Sequence, residues 1–114
     1  MLLHLLVLRA QDPCALADFY GLLGLSFERE KHGTGPEHMA CDTGAGVLEI
    51  YPCTSDRGST RSVRFGFRVD DLEQCCRAIA ASQGKVVHAP RMTAWGRQAT
   101  IQDPEGHIID LVEA

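Results

Sequence analysis

The strongest constraint in this 114-residue sequence is an internal repeat, because the same order of predicted elements occurs twice. An apolar strand that ends at Arg9 is followed by a helical pattern and three strand-like runs with glycine-containing turns. The same order begins again after Arg61. Two copies are too few for a solenoid, so we predict two fused βαβββ modules, about residues 1–54 and 60–114.

The two predicted helices begin with similar signals. Asp12 is the expected N-cap of the first helix, with Pro13 in its first turn. For the second, Asp70 and Glu73 form an expected capping box. Apolar stripes at helical spacing follow the two starts: Leu16, Phe19, Tyr20 and Leu23, and then Leu72, Cys75, Cys76 and Ile79. Each helix is therefore expected to cover one face of a sheet.

The repeat also pairs two acidic segments, DTGAGVLEI and DPEGHIIDL. Their first residues, Asp42 and Asp103, are each followed seven positions later by an acid, Glu49 and Asp110. DPEG is typical of a turn between the last two strands. Because side chains alternate across a strand, both acids are expected on the face that the helices do not cover.

The strand RSVRFGFRV carries two arginines on that same open face. Its apolar residues alternate with Arg64 and Arg68, and central pairing of the strands would bring Glu49, Arg64 and Asp110 together on the concave side. Guanidinium groups form fork-shaped hydrogen bonds with carboxylates and phosphates, which predicts a polar or anionic small-molecule ligand. The alternative interpretation is that the arginines only balance the two acids.

Three further residues have a functional and a structural interpretation. Tyr51 and Trp95 are expected to stack on a flat ligand, although Trp95 beside Gly96 is also typical of loop packing. Glu49 is a candidate catalytic base with a pKa set by Arg64, and a purely structural ion pair is the alternative.

Composition excludes several classes of partner. Eleven Lys and Arg against fifteen Asp and Glu give a net charge of -4 without a long basic run, so nucleic acid is not expected as a partner.

The five cysteines, two of them adjacent, form no disulfide framework and indicate a reducing, cytoplasmic location. Residues 1–8 lack the basic start and cleavage site of a signal peptide. Since no run approaches about 20 apolar residues, no membrane span is expected.

Four segments carry a family resemblance: LRAQDPCALADFYGLLGL, VLEIYP, FGFRVDDLEQ and WGRQATIQDPEGHIIDLVEA. In this order they resemble the vicinal oxygen chelate superfamily, which includes glyoxalase I, bleomycin-resistance proteins and extradiol dioxygenases. The resemblance covers nearly the whole chain. It implies one glyoxalase-like α+β domain over residues 1–114, in which two βαβββ modules form curved mixed sheets around a shared cavity, usually in a homodimer.

The resemblance also implies four metal-ligand positions, which in this chain are Leu5, Glu49, Arg64 and Asp110. Leu5 has no lone pair, and Arg64 stays protonated and repels a cation. Two carboxylates alone bind a divalent ion weakly and in no fixed geometry. We therefore expect no resident metal or other cofactor.

The histidines offer the main objection to that expectation. His4 adjoins the first ligand position, yet alternation places it on the helix side with Leu6 and Leu8, and only a β-bulge would turn it inward. If a divalent metal binds, the expected ligands are Glu49, Asp110 and His4.

The other histidines are expected to be structural or peripheral. His107 is expected beside the turn or on the helix side, and three others are expected at the surface or the rim: His32, His38 and His88. A histidine at the rim has a pKa near neutrality and is therefore also a candidate base.

We thus expect a metal-independent homodimer that binds a polar or anionic small molecule. The expected ligand-binding residues are Tyr51, Arg64, Arg68, Trp95 and Asp110, with Glu49 as the catalytic candidate. The alternative is a metal-dependent lyase, isomerase or dioxygenase of the glyoxalase type. A sequestering protein of the bleomycin-resistance type is a third hypothesis and needs neither metal nor catalysis.

Overall fold

A computed structural model describes residues Met1–Ala114 and contains the predicted βαβββ order twice. The chain divides into two compact units, Met1–Thr60 and Arg61–Ala114. Each unit has one four-stranded mixed sheet and one helix, which confirms the predicted α+β class. Neither helix has the length and apolar character needed to cross a bilayer.

The first unit contains β1 (Leu5–Ala10), α1 (Pro13–Gly21), β2 (Glu28–Glu30), β3 (His38–Asp42) and β4 (Val47–Pro52). Its strand order is β1-β4-β3-β2, and β1 is parallel to β4 while the other neighbours are antiparallel. Helix α1 packs against β1, β3 and β4. As predicted, the Asp12 side chain caps α1 by accepting a hydrogen bond of 3.1 Å from the Ala15 N–H.

The second unit contains β5 (Arg64–Val69), α2 (Leu72–Ala80), β6 (Lys85–Thr93), β7 (Gly96–Gln102) and β8 (Ile108–Glu113). Its strand order β5-β8-β7-β6 repeats the pattern of the first unit, again with one parallel pair, β5 and β8. Helix α2 packs against β6, β7 and β8. The predicted turn at Asp103–Gly106 joins β7 to β8, and Gly106 has a φ of +100° there.

The predicted N-cap of α2 is wrong by one residue. Asp71, rather than Asp70, precedes the helix, and its side chain accepts a hydrogen bond of 3.1 Å from the Gln74 N–H. The capping box with Glu73 is therefore absent, because Glu73 lies two residues after the cap and instead pairs with Arg97 of β7.

Alternation along the strands separates the core from the open face in each unit. Leu48 and Ile50 of β4 are buried, as are Ile109 and Leu111 of β8. The acids between them, Glu49 and Asp110, lie on the opposite face as predicted. The remaining large buried apolar side chains include Leu8, Leu16, Phe19, Tyr20, Leu72, Ile79 and Ile101.

The bounds of two strands decide where two of the candidate histidines lie. Strand β1 begins at Leu5, so His4 precedes the strand and is exposed rather than packed on the helix side. Strand β6 continues to Thr93 through two shifts of register, around Val86/His88 and His88/Arg91. His88 lies within this strand and is exposed, in agreement with its expected surface position.

Candidate functional site

The open face of the first unit is dominated by acids and histidine. Glu49 of β4 lies opposite Val7 of β1 and Ala40 of β3, while His38 of β3 lies opposite Glu30 of β2. These pairings place Glu30, His38 and Glu49 on one face of the sheet. The face thus combines two carboxylates with an imidazole.

His38 is the most buried polar side chain of this face, with 1% exposure. Its Nδ1 lies 3.3 Å from the Pro36 carbonyl oxygen, and its Nε2 lies 3.4 Å from Glu30 Oε1 and 3.5 Å from Glu49 Oε2. Nε2 nevertheless has no hydrogen-bond partner. The predicted surface or rim position of His38 is wrong, because His38 begins β3 and its ring turns onto the face of the sheet.

Tyr51 contacts both His38 and Arg9. The rings of Tyr51 and His38 are parallel to within 7°, with centroids 4.1 Å apart. The Arg9 guanidinium carbon lies 4.9 Å from the Tyr51 ring centroid. Burial raises the pKa of the Tyr51 hydroxyl, and the negative charge of Glu49 adds to this effect. Tyr51 therefore remains neutral at physiological pH.

His32 lies beside this cluster at the surface, as predicted. Its Nε2 is 3.3 Å from Glu30 Oε1, and its ring centroid is 5.2 Å from that of His38. Donor atoms of Glu30, His32 and His38 all lie within 4.8 Å of one another. The sequence showed no motif for this cluster.

The open face of the second unit is built around an ion pair. Arg64 donates hydrogen bonds of 2.9 Å to both carboxylate oxygens of Asp110, and Thr100 Oγ1 donates another of 3.0 Å to Asp110 Oδ1. Hydrogen bonding from Arg64 is the main cause that lowers the pKa of Asp110 below its ordinary value. The same pairing raises the pKa of Arg64.

Register places three rows of residues across this second face. One row runs Arg64, Ile108, Gln102 and Lys85; the next runs Gly66, Asp110, Thr100 and His88; the third runs Arg68, Val112, Gln98 and Arg91. Four permanent cations, two of them predicted from sequence, therefore share the face with one carboxylate. Sequence analysis missed Lys85 and Arg91, because the register shifts in β6 cannot be read from alternation.

The third row offers free cationic groups. Arg68 and Arg91 are exposed, and neither guanidinium forms an ion pair. Trp95 is 80% exposed in the turn between β6 and β7, where its backbone N–H donates a hydrogen bond of 3.1 Å to Thr93 Oγ1. Its ring is thus presented to solvent.

His107 lies beside the turn between β7 and β8, as expected, and its contacts are structural. It is fully buried next to the Asp103–Gly106 turn, and its Nδ1 lies 2.8 Å from Asp103 Oδ2. The same aspartate also accepts a hydrogen bond from the His107 N–H. Together these contacts fix the turn between β7 and β8.

The four positions that the family resemblance implies do not fit a divalent metal. Leu5 is an apolar side chain with 41% exposure and supplies no donor atom. At the third position Arg64 is a cation, and it already occupies both oxygens of Asp110, the fourth position. Among these four positions, Glu49 alone offers a carboxylate that is not bonded to a cationic side chain.

Sequence and structure together define a protein of the two-module glyoxalase type. The sequence-family model of the Glyoxalase/Bleomycin resistance protein/Dioxygenase superfamily matches residues 2–111 of the chain. The chain belongs to this superfamily. No curated protein sequence matches it.

Solved structures share the fold at low sequence identity. TnmS3, an antibiotic binding protein from Streptomyces sp. CB03234, is 23% identical with a TM-score of 0.80, covering 99% of this chain and 95% of its own. The hypothetical protein SA1046 from S. aureus is 18% identical with a TM-score of 0.78, covering 100% and 97%. A glyoxalase/bleomycin resistance protein/dioxygenase family enzyme from Burkholderia phytofirmans PsJN is 19% identical with a TM-score of 0.77, covering 99% and 98%.

Proposed function

We propose that this protein binds a small polar or anionic molecule through the open face of its second unit. The observation that carries the proposal is the row that ends in Arg68 and Arg91, two exposed guanidinium groups with no ion pair on a face with a single carboxylate. That carboxylate, Asp110, is already paired with Arg64. The face therefore has excess positive charge although the chain as a whole carries -4.

The chemistry of this face favours carboxylate or phosphate groups. Guanidinium groups bind such groups through two parallel hydrogen bonds. Three strand spacings separate Arg68 from Arg91, which corresponds to roughly 14 Å between their backbones. Two long side chains converging from that separation can hold a molecule of metabolite size between them.

Other groups on or near the face add specificity to this proposal. Gln98 lies between the two arginines in the row, and Trp95 supplies an exposed indole for stacking. An open depression of about 520 Å³ adjoins Lys85 and Gln102 at one end of the face, and the Asp103–Gly106 turn lines its other side. In this proposal Arg64 positions Asp110, and a catalytic role of Glu49 is not required.

The comparisons support a binding role in general terms. TnmS3 is described as an antibiotic binding protein, and it shares this fold. Because one fold carries many functions, the class of ligand proposed here rests on the charges of this face and not on that likeness. The homodimer implied by the resemblance is also part of the proposal, as is a cytoplasmic location, which the five free cysteines support.

A ligand screen with a charge-matched control tests the proposal. Thermal shift and NMR titration would compare phosphate monoesters, mono- and dicarboxylates and cationic drugs of similar size. We expect anionic compounds to bind and to shift amide signals of β5, β6 and β7, which carry Arg68, Arg91 and Gln98. Each of Arg68→Ala and Arg91→Ala should weaken binding about 10- to 100-fold, the loss expected for one charged hydrogen-bonding group.

The control is Arg77→Ala, which removes an exposed cation from α2. It should leave the affinity within about twofold after correction for ionic strength. Equal losses in all three variants would show that only net charge matters and would overturn the site. Binding restricted to cationic compounds would contradict the proposed ligand class. Sedimentation at two protein concentrations tests the homodimer separately.

A further inference from the structure

A metal-ligating constellation lies on the open face of the first unit, and its three core residues, Glu30, His32 and His38, are not among the positions that the family resemblance implies. Pairing of β2 with β3 sets Glu30 opposite His38, and His32 follows Glu30 by two residues. One donor atom from each residue lies within 4.8 Å of the other two. The backbone register therefore gathers one carboxylate and two imidazoles at one point.

The buried ring of His38 aims an unpartnered nitrogen at this point. Its Nδ1 faces the Pro36 carbonyl oxygen, which can only accept a hydrogen bond, so Nδ1 carries the proton in the neutral ring. Nε2 then presents a lone pair toward the carboxylates of Glu30 and Glu49, which are also acceptors. A buried lone pair aimed at two carboxylates is unfavourable unless a cation, either a metal ion or a proton on Nε2, lies between them.

Three of the donor separations match those of a tetrahedral site. Ligands that lie about 2.0 to 2.1 Å from a tetrahedral Zn²⁺ are separated from one another by about 3.3 to 3.4 Å. The observed separations are 3.3 Å between His32 Nε2 and Glu30 Oε1, 3.4 Å between His38 Nε2 and Glu30 Oε1, and 3.5 Å between His38 Nε2 and Glu49 Oε2. Glu30 and the two histidines are therefore spaced to receive an ion, and Glu49 adjoins them through His38.

We propose that Glu30, His32 and His38 bind a divalent transition-metal ion of the zinc type, with Glu49 as the fourth ligand. Two imidazoles and two carboxylates suit Zn²⁺ and its neighbours, whereas Mg²⁺ and Ca²⁺ prefer all-oxygen sites. The two carboxylates balance the charge of the ion. Pro36 supplies the outer contact that orients a ligating histidine, since its carbonyl accepts from the second ring nitrogen of His38.

Isothermal titration of the untagged, chelator-treated full chain with Zn²⁺, in the presence of a thiol reductant that does not bind metal, tests the site. We expect one Zn²⁺ per chain and no heat with Mg²⁺. Glu30→Gln and His32→Ala, at exposed or half-exposed positions where folding is preserved, should each weaken Zn²⁺ binding more than about 100-fold. Circular dichroism of the metal-free variants verifies the fold.

His4→Ala and Asp18→Asn are the matched controls, because they remove a histidine and an exposed acid outside the constellation; both should bind Zn²⁺ like the parent chain. Visible absorption with Co²⁺ reports the donors directly, and it should show a tetrahedral complex without thiolate bands. The proposal is overturned if no ion binds, if Glu30→Gln and His32→Ala retain the parent affinity, or if thiolate bands show that cysteines hold the metal. Loss of binding in the two controls alone would also overturn it.

Discussion

Arg64 donates two hydrogen bonds of 2.9 Å to Asp110, one to each oxygen of its carboxylate. The repeat makes Leu5 and Glu49 the counterparts of these residues in the first unit. With no arginine in the first unit at that position, the carboxylate of Glu49 faces His38 instead. Two units with the same topology therefore carry opposite chemistry on their open faces, cationic in the second and anionic in the first.

The pairing of Arg64 with Asp110 predicts a stability that depends on pH. Hydrogen bonding by the guanidinium lowers the pKa of Asp110 in the folded state, so the pair stabilises the protein above the unfolded-state carboxyl pKa of about 3.9. This stabilisation is lost as the pH falls through the lower folded-state pKa. Because the Arg64 side chain is 60% exposed, solvent screens the pair, and Arg64→Gln should destabilise the protein only slightly at pH 7.

Urea unfolding at pH 7 and near pH 2, with an NMR titration of the Asp110 carboxyl carbon, measures both effects. Arg64→Gln should raise the pKa of Asp110 toward its ordinary value, and the stability difference from the parent chain should shrink at low pH. Arg77→Gln on α2 is the control and should leave the Asp110 titration unchanged. An ordinary Asp110 pKa in the parent chain would contradict the prediction.

Close approach of β5 to β8 makes Gly66 a second testable position. A Cβ atom at Gly66 would lie 2.7 Å from the backbone oxygen of Asp110, which faces it across the parallel pair. Gly66→Ala should therefore force the strands apart and cost about 1 to 3 kcal/mol of unfolding free energy, as overpacking does.

Gly21→Ala is the matched control for Gly66→Ala. Gly21 is the last residue of α1, and a Cβ atom there would meet nothing within 4 Å. Alanine should leave stability unchanged or raise it by up to about 1 kcal/mol, because it is the better helix former. Urea midpoints for the two variants should thus move in opposite directions or differ clearly; equal midpoints would show that β5 and β8 adjust to the added methyl group.

The fold was predictable because its signals repeat. Helix stripes, glycine turns and the spacing of Glu49 and Asp110 occur in the same order in both halves, so each half supported the interpretation of the other. Alternation in β4 and β8 correctly separated buried from open positions, because polar residues stand between large apolar ones there.

The position of His38 was predicted wrongly because polar and large apolar residues do not alternate in β3. Ala40 and Cys41 are neighbours that face opposite sides of β3, yet both are buried, so alternation does not reveal which face His38 shares. Its approach to Glu30 depends on the register of a strand pair that holds only three residue pairs. A carboxylate and a histidine on either side of the hairpin segment HGTGP were the only signal in the sequence.

Two substitutions test whether Asp71, rather than the predicted Asp70, caps α2. Asp71 accepts the hydrogen bond from the Gln74 N–H, so Asp71→Ala should lower the unfolding free energy by about 1 kcal/mol, within the range of 0.5 to 2 kcal/mol known for such caps. Asp70→Ala removes the same charge one residue earlier without removing the cap, and it should change stability by less than about 0.5 kcal/mol. Urea unfolding of the two variants side by side decides between them. A larger loss in Asp70→Ala would restore the capping box with Glu73 that the sequence predicted.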